Sequence, residues 1–208
     1  MATQDIYQAV LDFDEEKVLA LVEAQIAKGG DVSAVLNQGL IAAMDEVGRL
    51  FGEGELFVPE MLMAARAMKA GLALLKPRLA SADSKPRGTI VIGTVKGDLH
   101  DIGKNLVSMM LEGAGFKVVD LGVDVDTDKF LGAARESGAE IVAMSALLTT
   151  TMPAMEATVA TIKEKGLGLK TMVGGAPVTE PFAQKIGAAG YSEDGPTAVA
   201  LARRLLAA

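Results

Sequence analysis

One histidine occurs in the 208 residues, His100, and it lies in an unusually polar run, Gly97-Asp98-Leu99-His100-Asp101-Ile102-Gly103-Lys104-Asn105. A neutral imidazole offers one ring nitrogen to a metal and donates from the other, so a ligating histidine wants an acceptor behind it; Asp98, two residues earlier, is within reach. A lone histidine is equally the mark of a solvated surface residue or a satisfied buried one. Gly97 and Gly103 let backbone approach a ligand closely, or serve a turn or helix–sheet packing. A second polar run, Ser145-Ala146-Leu147-Leu148-Thr149-Thr150-Thr151, carries four hydroxyls, each able to donate and accept. Thr151, just before Met152-Pro153, also suits a helix N-cap. Gly174-Gly175 is a side-chain-free pair that leaves a slot for something long and flat, or makes a plain turn.

Composition narrows the classes of function. The absence of cysteine removes disulfides, thiolate metal sites and cysteine nucleophiles. A net charge of −7, with two tyrosines, six phenylalanines and no tryptophan, leaves no basic stripe and few stacking rings for nucleic acid. No stretch approaches the roughly 18 unbroken apolar residues of a membrane span. The acidic start MATQDIYQAVLDFDEEK lacks the basic and apolar regions of a signal peptide, so a cytoplasmic address is expected.

The elements that must position these residues fall into two halves. Over residues 5–80 apolar side chains recur at helical spacing, as in Val18, Leu19, Leu21, Val22 and Ile26. Helices are expected near 5–12, 14–28, 33–50 and 59–79, divided by Gly29-Gly30, by Gly52 and Gly54, and by Pro59 at a first turn. Short connections make this an antiparallel four-helix bundle. Residues 81–88, SADSKPRG, read as an exposed linker, giving an organisation of 1–80, linker 81–88 and 89–208.

Beyond the linker, short β-rich runs at 89–95, 117–121, 140–145 and 170–173, with a weak fifth at 188–191, alternate with amphipathic stretches near 102–114, 127–137, 153–165, 179–187 and 196–207. This pattern implies a parallel sheet with helices on both faces, of the flavodoxin-like strand order 2-1-3-4-5. Ligands bind such sheets where the chain reverses direction, between the first and third strands. The loop at 96–101 and the run at 145–151 would meet there, although about 50 residues separate them.

Asp98-x-His100-x-x-Gly103, then Ser145-x-Leu147, then Gly174-Gly175 match in order and spacing the signature of cobalamin-binding domains. Residues 93–123, GTVKGDLHDIGKNLVSMMLEGAGFKVVDLGV, resemble the cobalamin domain of methionine synthase and of the small corrinoid proteins of methyltransferase systems. Residues 47–60, VGRLFGEGELFVPE, are similar to the helical cap domain that precedes it there.

The resemblance implies a corrinoid bound with its own base detached and His100 on the cobalt. Asp98 matches the aspartate behind that histidine, and Thr151 the hydroxyl that extends the relay, where methionine synthase has serine. Ser145, Leu147 and Thr149 match residues around the detached base. Gly174 and Gly175 match the pair along the nucleotide tail, and Asp101, Ile102 and Gly103 flank the corrin ring. Phe51 and Val58 match apolar cap positions over its upper face, though their spacing also suits bundle core. In the rim loop, Ala189 stands where an aspartate is common.

The function so implied is that of a methyl carrier, not catalytic alone, loaded by a substrate-specific methyltransferase. A second methyltransferase would pass the methyl group to tetrahydrofolate or a similar acceptor, and a reductive activation protein would serve the cobalt. Donor choice resides in the partner, so carriers for methanol, methylamines, betaines and aryl methyl ethers look alike here. A cobalamin subunit of an adenosylcobalamin mutase shares the histidine motif but usually lacks the cap. A cobalamin-dependent sensor normally adds a DNA-binding domain, and a flavodoxin-like domain holding FMN would leave the three-part match to chance.

Overall fold

The apolar runs after residue 88 form five parallel strands, β1 (Thr89–Thr94), β2 (Lys117–Asp120), β3 (Ile141–Ser145), β4 (Lys170–Gly174) and β5 (Gly190–Tyr191), in the order β2-β1-β3-β4-β5. This is a computed structural model; it describes residues 2–79 and 86–207. Residues 80–85, most of the expected linker, lie outside the described residues. The chain divides into two compact units, Met1–Lys85 with Gly113–Gly115, and Pro86–Glu112 with Phe116–Ala208.

In the α/β unit β1 is buried along its whole length and β3 along all but its last residue, as expected of central strands covered on both faces. β2 lies at an edge and is exposed at both ends. The helices are α6 (Ile102–Gly113), α7 (Thr127–Ser137), α8 (Met152–Glu164), α9 (Glu180–Ile186) and α10 (Gly195–Ala207). One apolar cluster joins Val91, Val142, Met144 and Val173 of the sheet to Phe130 of α7 and Met155 and Val159 of α8. Gly93 makes that packing possible, since a Cβ there would stand 2.9 Å from the Phe130 ring. The register aligns Thr94 with Ser145 and Ser145 with Gly174, one row across the carboxyl ends of three neighbouring strands. Motifs far apart in sequence thereby become lateral neighbours at the reversal point between β1 and β3.

The helical unit contains α1 (Ala2–Leu11), α2 (Glu15–Ala27), α3 (Val32–Ala34), a π-helical segment (Val35–Ile41), α4 (Ala42–Gly52) and α5 (Val58–Leu79). Its core joins Ile6, Val10, Val18, Val22, Leu40, Val47, Met61, Met68 and Leu75. Carboxylates cap two starts: Asp14 accepts from the Lys17 N–H at 2.9 Å, and Asp31 from the Ser33 N–H at 2.9 Å. The helix expected over 33–50 differs from expectation, because Val35–Ile41 is wound as π-helix between α3 and α4. Gly39 lies in this segment, where a Cβ would come within 3.1 Å of Ile6 Cγ2 and 3.5 Å of the Thr3 carbonyl. The π-helical turn thus falls where α1 comes close to the backbone, a contact that apolar spacing does not record. Among the described residues no helix is long and apolar enough to cross a membrane.

Candidate functional site

The β1–α6 loop is organised around Asp98, whose side chain is fully buried although its neighbours in the loop are exposed. One carboxylate oxygen accepts from the His100 backbone N–H at 3.1 Å and lies 2.7 Å from His100 Nδ1. The other accepts from the Leu147 N–H at 2.7 Å, the Leu148 N–H at 3.2 Å and the Thr151 hydroxyl at 2.8 Å. Burial alone would raise the pKa of this carboxyl, but the bonds from His100, Leu147 and Thr151 outweigh it and hold it well below the usual carboxylate range. A carboxylate has only lone pairs to offer, so Nδ1 carries the hydrogen of the pair. In the neutral ring Nε2 then keeps its lone pair.

Thr151 occupies the residue before α8, yet its side chain makes no capping bond to the helix. Its hydroxyl stands 2.8 Å from both Asp98 and the Leu148 carbonyl, and one hydrogen serves one of them at a time. Thr94, fully buried at the end of β1, donates its hydroxyl to the His100 carbonyl at 2.8 Å. Sequence reading passed over Thr94 because a strand-end threonine carries no signal of its own.

The remaining expected residues divide. Ser145 is half-buried at the end of β3, and Leu147 and Thr149 are exposed in the loop that follows. Asp101 accepts from the Asn105 side chain at 3.0 Å and so secures the first turn of α6. Ile102 and Gly103 are exposed, and Gly103 faces open space. Gly174 closes β4 and does not follow it. Gly175 is required by the protein's own backbone: at φ 126° a Cβ would lie 1.9 Å from the Ala146 carbonyl oxygen.

The His100 side chain is half-exposed, and the two loops joined by Asp98 also expose Leu99 (71%), Ile102 (84%), Leu147 (43%) and Leu148 (42%) to water. Leu99 and Leu148 had gone unremarked; leucines in loops otherwise made of polar residues were the available signal. Behind them Lys104 is almost fully buried, its ammonium 2.5 Å from Asp120 and 2.6 Å from the Asn105 amide oxygen. Among the described residues no three His, Cys, Asp or Glu side chains converge to hold a bare metal ion.

In the helical unit Phe51 is half-buried near the end of α4 and Val58, the first residue of α5, is 41% exposed. Neither is wholly core. Phe57, Leu62 and Met63 are exposed on the same stretch, and the Phe57 N–H donates to the Glu60 carboxylate at 2.8 Å.

A buried carboxylate behind a single imidazole, at the reversal point of this sheet, sets one oriented ring nitrogen where ligands of such sheets bind. Comparison with known proteins gives the class of ligand. Residues 88–200 match the B12 binding domain family, and residues 2–76 match a second family of the same description. Dimethylamine corrinoid protein 1 of Methanosarcina acetivorans is 48% identical over 209 residues, covering 98% of this chain and 97% of that one. Trimethylamine corrinoid protein 1 of the same organism is 45% identical, covering 95% and 94%. The methanol:cobalamin methyltransferase complex MtaBC of Methanosarcina barkeri superposes with a TM-score of 0.90 at 32% identity, over 99% of this chain and 80% of that one. The chain belongs to the B12-binding corrinoid proteins of methyltransferase systems, and its cofactor is cobalamin or a related corrinoid.

Proposed function

We propose that this chain is a methyl carrier that binds its corrinoid base-off, with His100 Nε2 as the lower ligand to cobalt. The observation that carries this reading is the fixed tautomer: Nδ1 is spent on buried Asp98 at 2.7 Å, while no described residue bonds Nε2. When bound, the corrinoid supplies the cobalt centre that takes up and gives up the methyl group. The residues present fit that cofactor. A single nitrogen would suit a metal whose remaining ligands are supplied mainly by a macrocycle, and the exposed Leu99, Ile102, Leu147 and Leu148 would suit a large apolar ring.

Within this reading each residue has a task. Asp98 holds the hydrogen at Nδ1, aims the ring and strengthens Nε2 as a donor, and Thr151 steadies Asp98. Asp101, Ile102 and Gly103 flank the ring, and Ser145, Leu147 and Thr149 surround the detached base. Gly174 and Gly175 accept the nucleotide tail. For Phe51 and Val58 we propose an apolar cover over the reactive face, joined by Phe57, which keeps water from it. The helical half would then act as a cap over 1–80, joined by a hinge at 81–88 to a cofactor domain over 89–208.

A substrate-specific methyltransferase is the loading partner, supported by the assembly named for the MtaBC structure. The methylamine names of the relatives make a methylamine methyltransferase the first to test. A second methyltransferase, with tetrahydrofolate or a similar acceptor, unloads the carrier, a reductive activation protein restores it, and the system works in the cytoplasm. The test is reconstitution with hydroxocobalamin. The wild-type chain should bind it with the visible spectrum of base-off, histidine-ligated cobalt, and His100→Ala should lose that spectrum. An identical spectrum from His100→Ala would overturn the assignment.

A further inference from the structure

We infer that Asp124, in the loop between β2 and α7, is a positioning residue that sets how His100 is presented; this rests on the reading of His100 as lower ligand. Asp124 lies in the left-handed region at φ 54°, which a non-glycine residue adopts at a cost unless local bonds offset it. Three such bonds are present, all to the β1–α6 loop. One carboxylate oxygen accepts from the Gly97 N–H at 2.8 Å, and the other pairs with Lys96 Nζ at 3.0 Å. The Asp124 N–H donates to the Asp98 carbonyl at 3.0 Å.

Gly97 is itself left-handed, at φ 83°, so the two loops lock through residues that ordinary strand pairing does not reach. The pairing continues on both sides. Thr94 donates to the Gly122 carbonyl at 3.0 Å, Val125 donates to the Thr94 carbonyl at 3.0 Å, and Val95 bridges to Val125.

Asp98 is consequently held twice. Its carboxylate is held from β3–α8 through Leu147, Leu148 and Thr151, and its backbone from Asp124. The Asp124 carboxylate supports this second hold through the neighbouring Gly97 N–H and Lys96; without it the start of the loop rests on the Asp124 N–H and on the Asp98 N–H bond to the Val95 carbonyl at 3.1 Å, and the peptide that carries Asp98 and His100 is held less firmly. The Asp124 side chain is 43% exposed and packs in no core, so its loss opens no cavity.

Three variants of the full-length chain separate the contributions. Asp124→Gly keeps the left-handed backbone without the carboxylate, Asp124→Asn keeps an acceptor for Gly97, and Lys96→Ala removes only the ion pair. Two readings are taken: hydrogen exchange at the Gly97 amide without corrinoid, and electron paramagnetic resonance of the cobalt(II) state after loading with cobalamin. Asp124→Gly should speed Gly97 exchange by about tenfold or more, the loss of one charge-assisted bond. It should also weaken the nitrogen superhyperfine structure. Asp124→Asn should recover both most of the way, and Lys96→Ala should leave both near wild type. Unchanged exchange in Asp124→Gly, or faster exchange with an unchanged cobalt spectrum, overturns the inference. Wild-type protein with no coupling from His100 overturns the ligand reading instead, so the two failures are told apart.

Discussion

Large apolar side chains reach solvent in both units, but the surfaces that carry them are built differently. In the α/β unit Leu99, Ile102, Leu147 and Leu148 are exposed on the two loops that hold a histidine whose backbone and Nδ1 are all bonded inward, to Asp98 and Thr94. In the helical unit Phe57, Val58, Leu62 and Met63 lie at the start of a helix whose carboxylate, Glu60, turns back to its own chain. The first surface therefore presents one oriented nitrogen within an apolar frame. The apolar side chains of the second present no charged or nitrogen donor, and offer shape and exclusion of water.

Breaking the polar frame should have the largest effect. Asp98→Ala leaves the Leu147 and Leu148 N–H groups and the Thr151 hydroxyl without their shared acceptor, and should destabilise the α/β unit by roughly 3 kcal/mol. Chemical denaturation measures this, and a loss under about 0.5 kcal/mol would mean that Asp98 is not the organising centre. Thr151→Ala removes one bond from that frame and should cost about 1 kcal/mol, with Thr151→Ser restoring most of it. Failure of serine to restore stability would assign the threonine to packing instead.

The apolar surface of the helical unit should respond in the opposite manner. Phe57→Ser and Met63→Ser remove exposed side chains, and each should change stability by no more than about 0.5 kcal/mol. Equal losses from Phe57→Ser and Asp98→Ala would abolish the contrast.

The smallest effect is a pH dependence at Asp124. Hydrogen bonding to the Gly97 N–H and to Lys96 lowers its pKa in the folded chain. The stability it contributes is therefore complete above the ordinary carboxylate value and disappears as pH falls through the lowered folded value. The difference in melting midpoint between wild type and Asp124→Asn should hold steady near neutrality and shrink in acid. A difference that grows in acid would reverse the sign.

Much of this was legible in the sequence because period and punctuation record it. The change from helical spacing to alternating short strands after residue 88 is enough for the sheet, its order follows from that alternation, and the polar run around His100 stood out against apolar neighbours. What was hidden depends on lateral contact. Asp124 and Thr94 look like ordinary loop and strand-end residues until parallel pairing brings them onto the His100 loop. Gly175 offered a slot or a turn in the sequence, and only the fold shows that the approach of the Ala146 carbonyl also demands a glycine there. The π-helical turn at Val35–Ile41 is invisible to apolar periodicity, as is the close approach of Ile6 from another helix to Gly39 within it.

The central claim is that one nitrogen of this chain reaches the cobalt, and a chain with a single histidine permits a direct test. Protein grown with histidine carrying nitrogen-15 in the ring, loaded with unlabelled cobalamin and reduced to cobalt(II), should show its nitrogen superhyperfine triplets converted to doublets. Triplets that persist would mean that the cofactor's own base, and not His100, occupies the lower position.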